Sequence, residues 1–486
     1  VTIEVSGGAG GVGAFYQDLR AFAGVLDEIG DDVRSRSDDV GGIAIDSAVL
    51  AAALLCPLEV AAVEAAAVSA AVGPSGLLPV SVTLEGSALV LQATVESYEF
   101  IDEAQKVVLD RLNAVQGYLL GAALPFLAAG GVALIVSNPA LLALLGMTAA
   151  QVAQDPEAAL AALRTAIYEN PWLMEELTES APWLVQGLSS TLTGGPVLPF
   201  LLSGGRWPTA SYEDSVGGLV NLGNLGGLFV DGGEYGVERL EGQGAAPDGV
   251  SDIFRVQSSL YAEESEGQIQ ITAVGDPPSY IVTIPGTQEW SPDRGASGSP
   301  MDLTSNVQLM AGRETLLQAQ VEEAMRQAGI PADAPVMLTG HSQGGILCAT
   351  MATDSEFMSR YNVTSIVTGG SPIARFDIPD SVSVLAVEHD QDPVPMLEGR
   401  ENPDRANWVT VEADATAGIS RNPDPEHPDA PLSPEQAHGV SVYADTGRAI
   451  DSSQDPSLVA WREQNASFFS GDASSDRYRL NAPAQP

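Results

Sequence analysis

Apolar side chains recur through the first part of the chain at alternating spacings of four and three. Phe15, Leu19, Phe22, Leu26, Ile29 and Val33 keep that rhythm, the pattern of an amphipathic helix with a coiled-coil-like seam. Asp18, Arg20, Asp27 and Asp31 fall off the seam. The glycines within Asp39–Ile45 predict a break. An alanine-rich second helix is expected over Ser47–Val72, and a turn over Gly73–Leu78. Leu84, Ala88, Leu91, Val95 and Tyr98 restore the rhythm, and Ile101, Val108 and Leu112 carry it to about Gln116. Residues 1–116 therefore predict an α-helical bundle or elongated hairpin, a targeting or interaction domain with a helical partner.

The next stretch changes character. No charged residue occurs from Leu112 to Gln154. Tyr118–Val136 is nineteen residues of mostly Leu, Ala, Gly and Val, the length of a marginal membrane span. Pro125 and Gly130-Gly131 interrupt it, and a second apolar piece, Ala140–Met147, follows Ser137-Asn138-Pro139. A buried helical hairpin is the expectation, with membrane contact through residues 118–147 as the alternative. No basic flank sets an orientation. Ala159–Ser190 reads as further helix, so residues 117–200 form an apolar helical region. Residues 201–250 are rich in Gly and Pro and predict a connector.

From Gln268 onward the period becomes that of strands. Gln268–Ala273 and Tyr280–Ile284 flank the turn Gly275-Asp276-Pro277-Pro278. Pro335–Leu338, Val363–Val367, Val382–Val387 and Trp408–Val411 are further strands, and Gly312–Ala328 is an amphipathic helix between them. Strands alternating with helices predict an α/β domain over residues 251–470, with a mostly parallel sheet, and a tail over 471–486.

Composition narrows the partners. There are 64 acidic against 21 basic residues, a net charge of −43, and Lys106 is the sole lysine. Phosphate contacts need clustered Lys and Arg, so nucleic acid is excluded as a partner. Two cysteines make no disulfide framework. Four histidines, none spaced H-x-H or H-x-x-x-H, predict no metal, and no cofactor motif is present. The first residues, VTIEVSGGAGG, lack a basic n-region and an apolar h-region. Secretion by a route independent of a signal peptide is expected, otherwise a cytoplasmic location.

Candidate chemistry centres on Gly340-His341-Ser342-Gln343-Gly344, which fits G-x-S-x-G between a predicted strand and a small-residue helix start. Such a turn strains the serine backbone and projects its hydroxyl above the sheet. A nucleophilic serine needs a base and a carboxylate that holds the base. Downstream, Asp392 follows a strand end beside Pro393 and Pro395, with Glu388 and Asp390 as alternative acids. His438 lies beyond the last clear strand, and His389 and His427 compete with it. His341 is expected to pack beside the nucleophile. Thr287 stands at the C-terminal end of a predicted strand, where open α/β sheets place their sites.

Residues from about 267 to 447 resemble the class 3 lipase family of α/β-hydrolases. The run Tyr280–Thr287, YIVTIPGT, resembles the strand carrying that family's oxyanion residue. GHSQGG resembles its elbow, Gly369-Gly370-Ser371-Pro372 its G-S-P turn, and Asp392-Pro393-Val394-Pro395 its acid loop. The resemblance implies an α/β-hydrolase fold and an esterase- or lipase-like activity on a lipid or ester substrate. Ser342 would be the nucleophile, Asp392 the acid and His438 the base, with backbone N–H groups of Thr287 and Gln343 as the oxyanion hole. Pro285 departs from the arginine usual before Gly-Thr. Gln343 replaces the usual leucine and resembles the G-x-S-Q-G of cutinases and PE-PPE serine hydrolases. A thioesterase or cutinase-like hydrolase, or a non-catalytic scaffold with a degenerate domain, are the alternative readings. Gln288–Leu303, with Trp290, reads as a lid or a plain loop. Tyr98-Glu99-Phe100-Ile101-Asp102 matches the Y-x-x-x-D/E export signal of type VII secretion, and the helical N-terminal part resembles WXG-type substrates of that system.

Overall fold

Strand-forming runs spread over the whole length of the chain assemble into one nine-stranded sheet. The computed structural model describes residues 3–92 apart from 53, 54 and 74, with 95, 212–225, 229–231, 235–242, 246–289, 299–398, 400–415 and 432–481. The strands are β1 (Ile3–Gly7), β2 (Gly236–Glu241), β3 (Gln268–Val274), β4 (Ser279–Ile284), β5 (Pro335–His341), β6 (Asn362–Gly369), β7 (Ser383–His389), β8 (Trp408–Ala413) and β9 (Ala473–Asn481). They lie in the order β1-β8-β7-β6-β5-β4-β3-β9-β2. β4 to β8 run parallel in sequence order. The flanking pairs β1–β8, β3–β4, β3–β9 and β2–β9 are antiparallel.

The parallel strands are apolar on both faces, as a sheet covered on both sides requires. Val336 and Leu338 of β5 enter one core and Met337 the other. Val384 and Ala386 of β7 alternate with Leu385 and Val387 in the same way. Helices cover both faces. In chain order this unit has α4 (Tyr212–Leu225), α5 (Val250–Ser259), α6 (Leu303–Met310), α7 (Leu316–Ala328), α8 (Gln343–Thr353), α9 (Ser355–Arg360), α10 (Pro434–Ala437), α11 (Val440–Ser452) and α12 (Pro456–Gln464). Residues of α6, α7, α8 and α9 build the first core, and residues of α5, α11 and α12 the second. The architecture is α/β, with a mixed sheet whose centre is parallel.

Three segments lie elsewhere than the sequence pattern places them. The chain divides into one unit of Val12–Leu109 and a second made of everything else. The first strand therefore belongs to the sheet and not to the helical region assigned to residues 1–116. It pairs Ile3 with Ala413 and Val5 with Val411, and so covers the open edge of β8. The supposed tail over 471–486 contains β9, inserted between β3 and β2. Its alternation is hidden by Ser475, Asp476, Arg477 and Arg479, yet Tyr478 and Leu480 are buried in the core. The connector assigned to 201–250 contains α4 and β2.

In the other unit the first helix, α1 (Val12–Ile43), runs through Gly41 and Gly42 and stops at Ile43, so the break expected within Asp39–Ile45 falls at its C-terminal end. A glycine costs a helix only about 1 kcal/mol, so two of them near its end do not stop it. The expected second helix is instead two, α2 (Ser47–Ala52) and α3 (Pro57–Val72). Pro57 has no N–H to continue a helix but suits the first position of a new one. The seam is also displaced. Phe15, Phe22 and Ile29 are exposed (58%, 55% and 45%), whereas Ala23 and Ser37 are buried. Small residues let the helices approach: the Ser37 hydroxyl donates to the Ala71 carbonyl at 3.0 Å. A further helix spans 77–92, where Glu85 pairs with Arg34. By length and composition Pro57–Gln92 would suit a membrane span, but the turn closed by Gly76 N–H to Gly73 O interrupts it. The segment 118–147, the Tyr98–Asp102 signal, Trp290 of the expected lid and His427 lie outside the described residues.

Candidate active site

Ser342 stands between the end of β5 and the start of α8 with φ 53° and ψ −122°. That is the strained strand-to-helix turn expected of G-x-S-x-G. The glycines around it have a steric reason. A Cβ at Gly340 would stand 2.2 Å from the Gly344 carbonyl carbon, and one at Gly344 would stand 2.3 Å from the Ile284 oxygen. The Ser342 N–H donates to Gly369 O at 3.0 Å, which ties the turn to the end of β6.

Asp392 is fully buried. Its Oδ2 accepts from His438 Nδ1 at 2.7 Å and from the Tyr443 hydroxyl at 2.6 Å, and its Oδ1 accepts from Val394 N–H at 2.9 Å. Three donors thus converge on this one carboxylate. With its Nδ1–H spent on Asp392, a neutral His438 carries its basic lone pair on Nε2. The alternative acids point elsewhere. Glu388 accepts from Asn402 Nδ2, and Asp390 is an exposed residue whose carboxyl is pushed up by partial burial, Asp414 and Glu4. His389 is turned to Ala437 and Thr446.

Asp392 and His438 are thus brought together directly. Among the described residues no hydrogen bond joins His438 to the Ser342 hydroxyl. Gly370, the residue after Ser342's hydrogen-bond partner Gly369, packs against the Asp392–His438 pair. A Cβ at Gly370 would lie 3.0 Å from His438 Nδ1 and 2.7 Å from Asp392 Oδ2. Serine–histidine bonds of this kind are commonly long without substrate and tighten when it binds.

The loop after β4 closes on the turn from the other side. A Cβ at Gly286 would stand 2.8 Å from the Ser342 Cβ. Thr287 is buried, and its Oγ1 accepts from Asn306 Nδ2 of α6. Gln288 Nε2 donates to Leu260 O at 3.0 Å, and Gln288 Oε1 accepts from Gly267 N–H at 2.7 Å. The Gln343 side chain is buried and donates to Asp302 O at 2.8 Å. Among the described residues, neither the Thr287 nor the Gln343 backbone N–H has a hydrogen-bond partner. Both are donors on segments that flank Ser342, and one opens a helix, where an anion is favoured.

Asn306, Tyr261 and Tyr443 are site residues that sequence reasoning passed over. Tyr443 carried a signal: Val440, Tyr443 and Gly447 share one helix face, and a buried tyrosine needs a partner for its hydroxyl. Asn306 and Tyr261 carried none, because their partners are distant in sequence. Among the described residues no cluster of His, Cys, Asp and Glu is arranged to hold a metal ion. A cavity of about 450 Å³ runs along α8, lined by Leu309, Ile346, Thr350, Pro372 and Phe376 among others, but not by Ser342, Asp392 or His438. No protein-family model, no curated protein and no solved structure matches the chain.

Proposed function

We propose that this protein is a serine ester hydrolase of the α/β-hydrolase fold, lipase- or esterase-like, resembling class 3 lipases over about 267–447. The observation that carries the reading is the buried Asp392 carboxylate bonded to His438, together with a serine held at φ 53° in the strand-to-helix turn. His438 Nε2 takes the Ser342 proton as Oγ bonds to the ester carbonyl carbon. The carbonyl oxygen becomes an anion facing the Thr287 and Gln343 N–H groups. Losing one such donor costs roughly 3 kcal/mol of transition-state stabilisation. The C–O bond to the alcohol then breaks, and His438 returns the proton to the departing oxygen. Water, deprotonated by the same nitrogen, attacks the acyl-serine and releases the acid. Asp392 holds the ring and stabilises its cation.

A fluorophosphonate probe tests this. The folded protein should be labelled at Ser342 and Ser342→Ala should not. An unlabelled wild type would favour the scaffold reading. Rates on p-nitrophenyl esters of graded chain length, set against thioesters and amides, separate the lipase-like reading from a thioesterase or cutinase-like one. The helical N-terminal region is proposed to deliver the enzyme through a type VII-like route. Tyr98→Ala should then block export, and unchanged export would dismiss that part.

A further inference from the structure

Three of the four histidines of this chain meet around the base loop, and only one of them faces Asp392. The other two hold consecutive backbone carbonyls of that loop. His389 Nδ1 lies 2.8 Å from Ala437 O, and His341 Nε2 lies 2.8 Å from His438 O. A carbonyl only accepts, so each of these nitrogens must carry a hydrogen. The opposite nitrogens face hydroxyls. His389 Nε2 lies 2.8 Å from Thr446 Oγ1, and His341 Nδ1 lies 2.7 Å from the Tyr261 oxygen. That tyrosine oxygen already accepts from Gly286 N–H at 2.7 Å, so its own proton is directed to His341.

We propose that His341 and His389 are a pair of neutral positioning residues with opposite tautomers, Nε2–H in His341 and Nδ1–H in His389. Together with Tyr261 they fix the base loop relative to the oxyanion loop. The inference rests on the ester-hydrolase reading for its catalytic consequence, but not for the tautomers. A chain of hydrogen bonds runs from Gly286, next to Thr287, through Tyr261 and His341 to the backbone of His438 itself. It crosses the elbow at the residue before Ser342. All three parts of the site are therefore referred to one imidazole. Both rings are buried, which favours the uncharged form of each. Neutrality matters to the reaction, because the His341 and His438 rings lie 4.6 Å apart between centroids. A cationic His341 would oppose the charge that His438 takes from Ser342. The Tyr443 ring, stacked on His389 at 3.8 Å, carries the same rigidity to Asp392 through its hydroxyl.

Imidazole ¹⁵N NMR on histidine-labelled, full-length protein reads the tautomers directly, with signals assigned from His341→Asn and His389→Asn. The expected result near neutral pH is one buried histidine protonated at Nε2 and another at Nδ1. An imidazolium at either position, or a shared tautomer, overturns the proposal. Kinetics provides the second arm. Tyr261→Phe and His341→Leu each remove a side chain that makes two hydrogen bonds and should lower kcat about 25-fold, roughly fivefold for each net hydrogen bond lost, with little change in KM. His341→Asn keeps the acceptor toward Tyr261 and should recover part of that loss. Variants that keep the wild-type melting temperature and wild-type kcat would refute the positioning role. If they do not fold, the NMR result decides. If the wild type does not label with fluorophosphonate, the hydrolase reading fails while the tautomer assignment stands or falls by its own spectrum.

Discussion

The two neutral histidines make stability depend on pH in a way that can be worked through. Burial pushes His341 well below its usual range, and the neighbouring His438 charge pushes the same way. Burial also lowers His389, against the opposing pull of the Ala437 carbonyl and Asp392. In the unfolded chain both titrate near the ordinary imidazole pKa of about 6.5. Below that pH the unfolded state binds protons that the native state refuses, so acid favours unfolding. Their stabilising contribution is present above about pH 6.5 and falls as pH drops toward the folded values. The slope is about 1.4 kcal/mol per pH unit for each group while the native ring stays neutral. Glu322, Asp390, Glu412 and Asp451 run the other way, since their folded pKa values are raised mainly by burial. Their stabilisation is present at low pH and is lost as pH rises through the folded values. Comparing wild type with His341→Asn and His389→Asn cancels those carboxylates. Urea unfolding at about pH 7.5 and 5.5 should show each variant destabilised at the higher pH. The deficit should shrink by up to about 1.4 kcal/mol at the lower pH, because the variant has no imidazole to charge. Parallel pH dependences in wild type and variants would refute the claim that these rings are neutral in the fold.

Other outcomes follow from single contacts. Asp392→Asn replaces an acceptor of three donors and should lower kcat by roughly 10³–10⁴-fold with the fold retained, measured on a p-nitrophenyl ester. Asn306→Ala removes the donor to Thr287 Oγ1, and a net hydrogen bond of about 1 kcal/mol predicts a fall in kcat of about fivefold with unchanged labelling stoichiometry. Gly344→Ala sets a Cβ against the Ile284 and Pro285 carbonyls, backbone that cannot step aside, and should cost about 3 kcal/mol or more in urea unfolding. Gly42→Ala, whose Cβ meets open space, should stabilise α1 by up to about 1 kcal/mol in the same assay.

The alternation of apolar runs with helical stretches was enough to read the parallel centre of the sheet, and with it the turn at Ser342. Parallel strands buried on both faces leave a strong local signal, as Val336–Leu338 and Val384–Val387 do. A strained serine between glycines is likewise a local feature, since the clash that demands glycine arises within five residues. The edges were not legible. β1, β2 and β9 are short or polar strands that take their place by pairing with residues far away in the chain, and Ser475 or Arg477 reads as loop until Thr272 and Gln270 lie opposite. The helical seam was legible in period but not in phase, because Ala23 and Ser37 are chosen by how closely a neighbouring helix can approach. The site divides along the same line. Local sequence singled out Ser342 and put Asp392 and His438 among few candidates. Only tertiary structure decided that Asp392, and not Glu388 or Asp390, meets His438, and that His341, His389 and Tyr261 brace the loop around it. Those contacts join residues 46 to 97 positions apart. A hydrogen bond across that distance leaves no period in the chain, and it exists only once the sheet has brought the strand ends together.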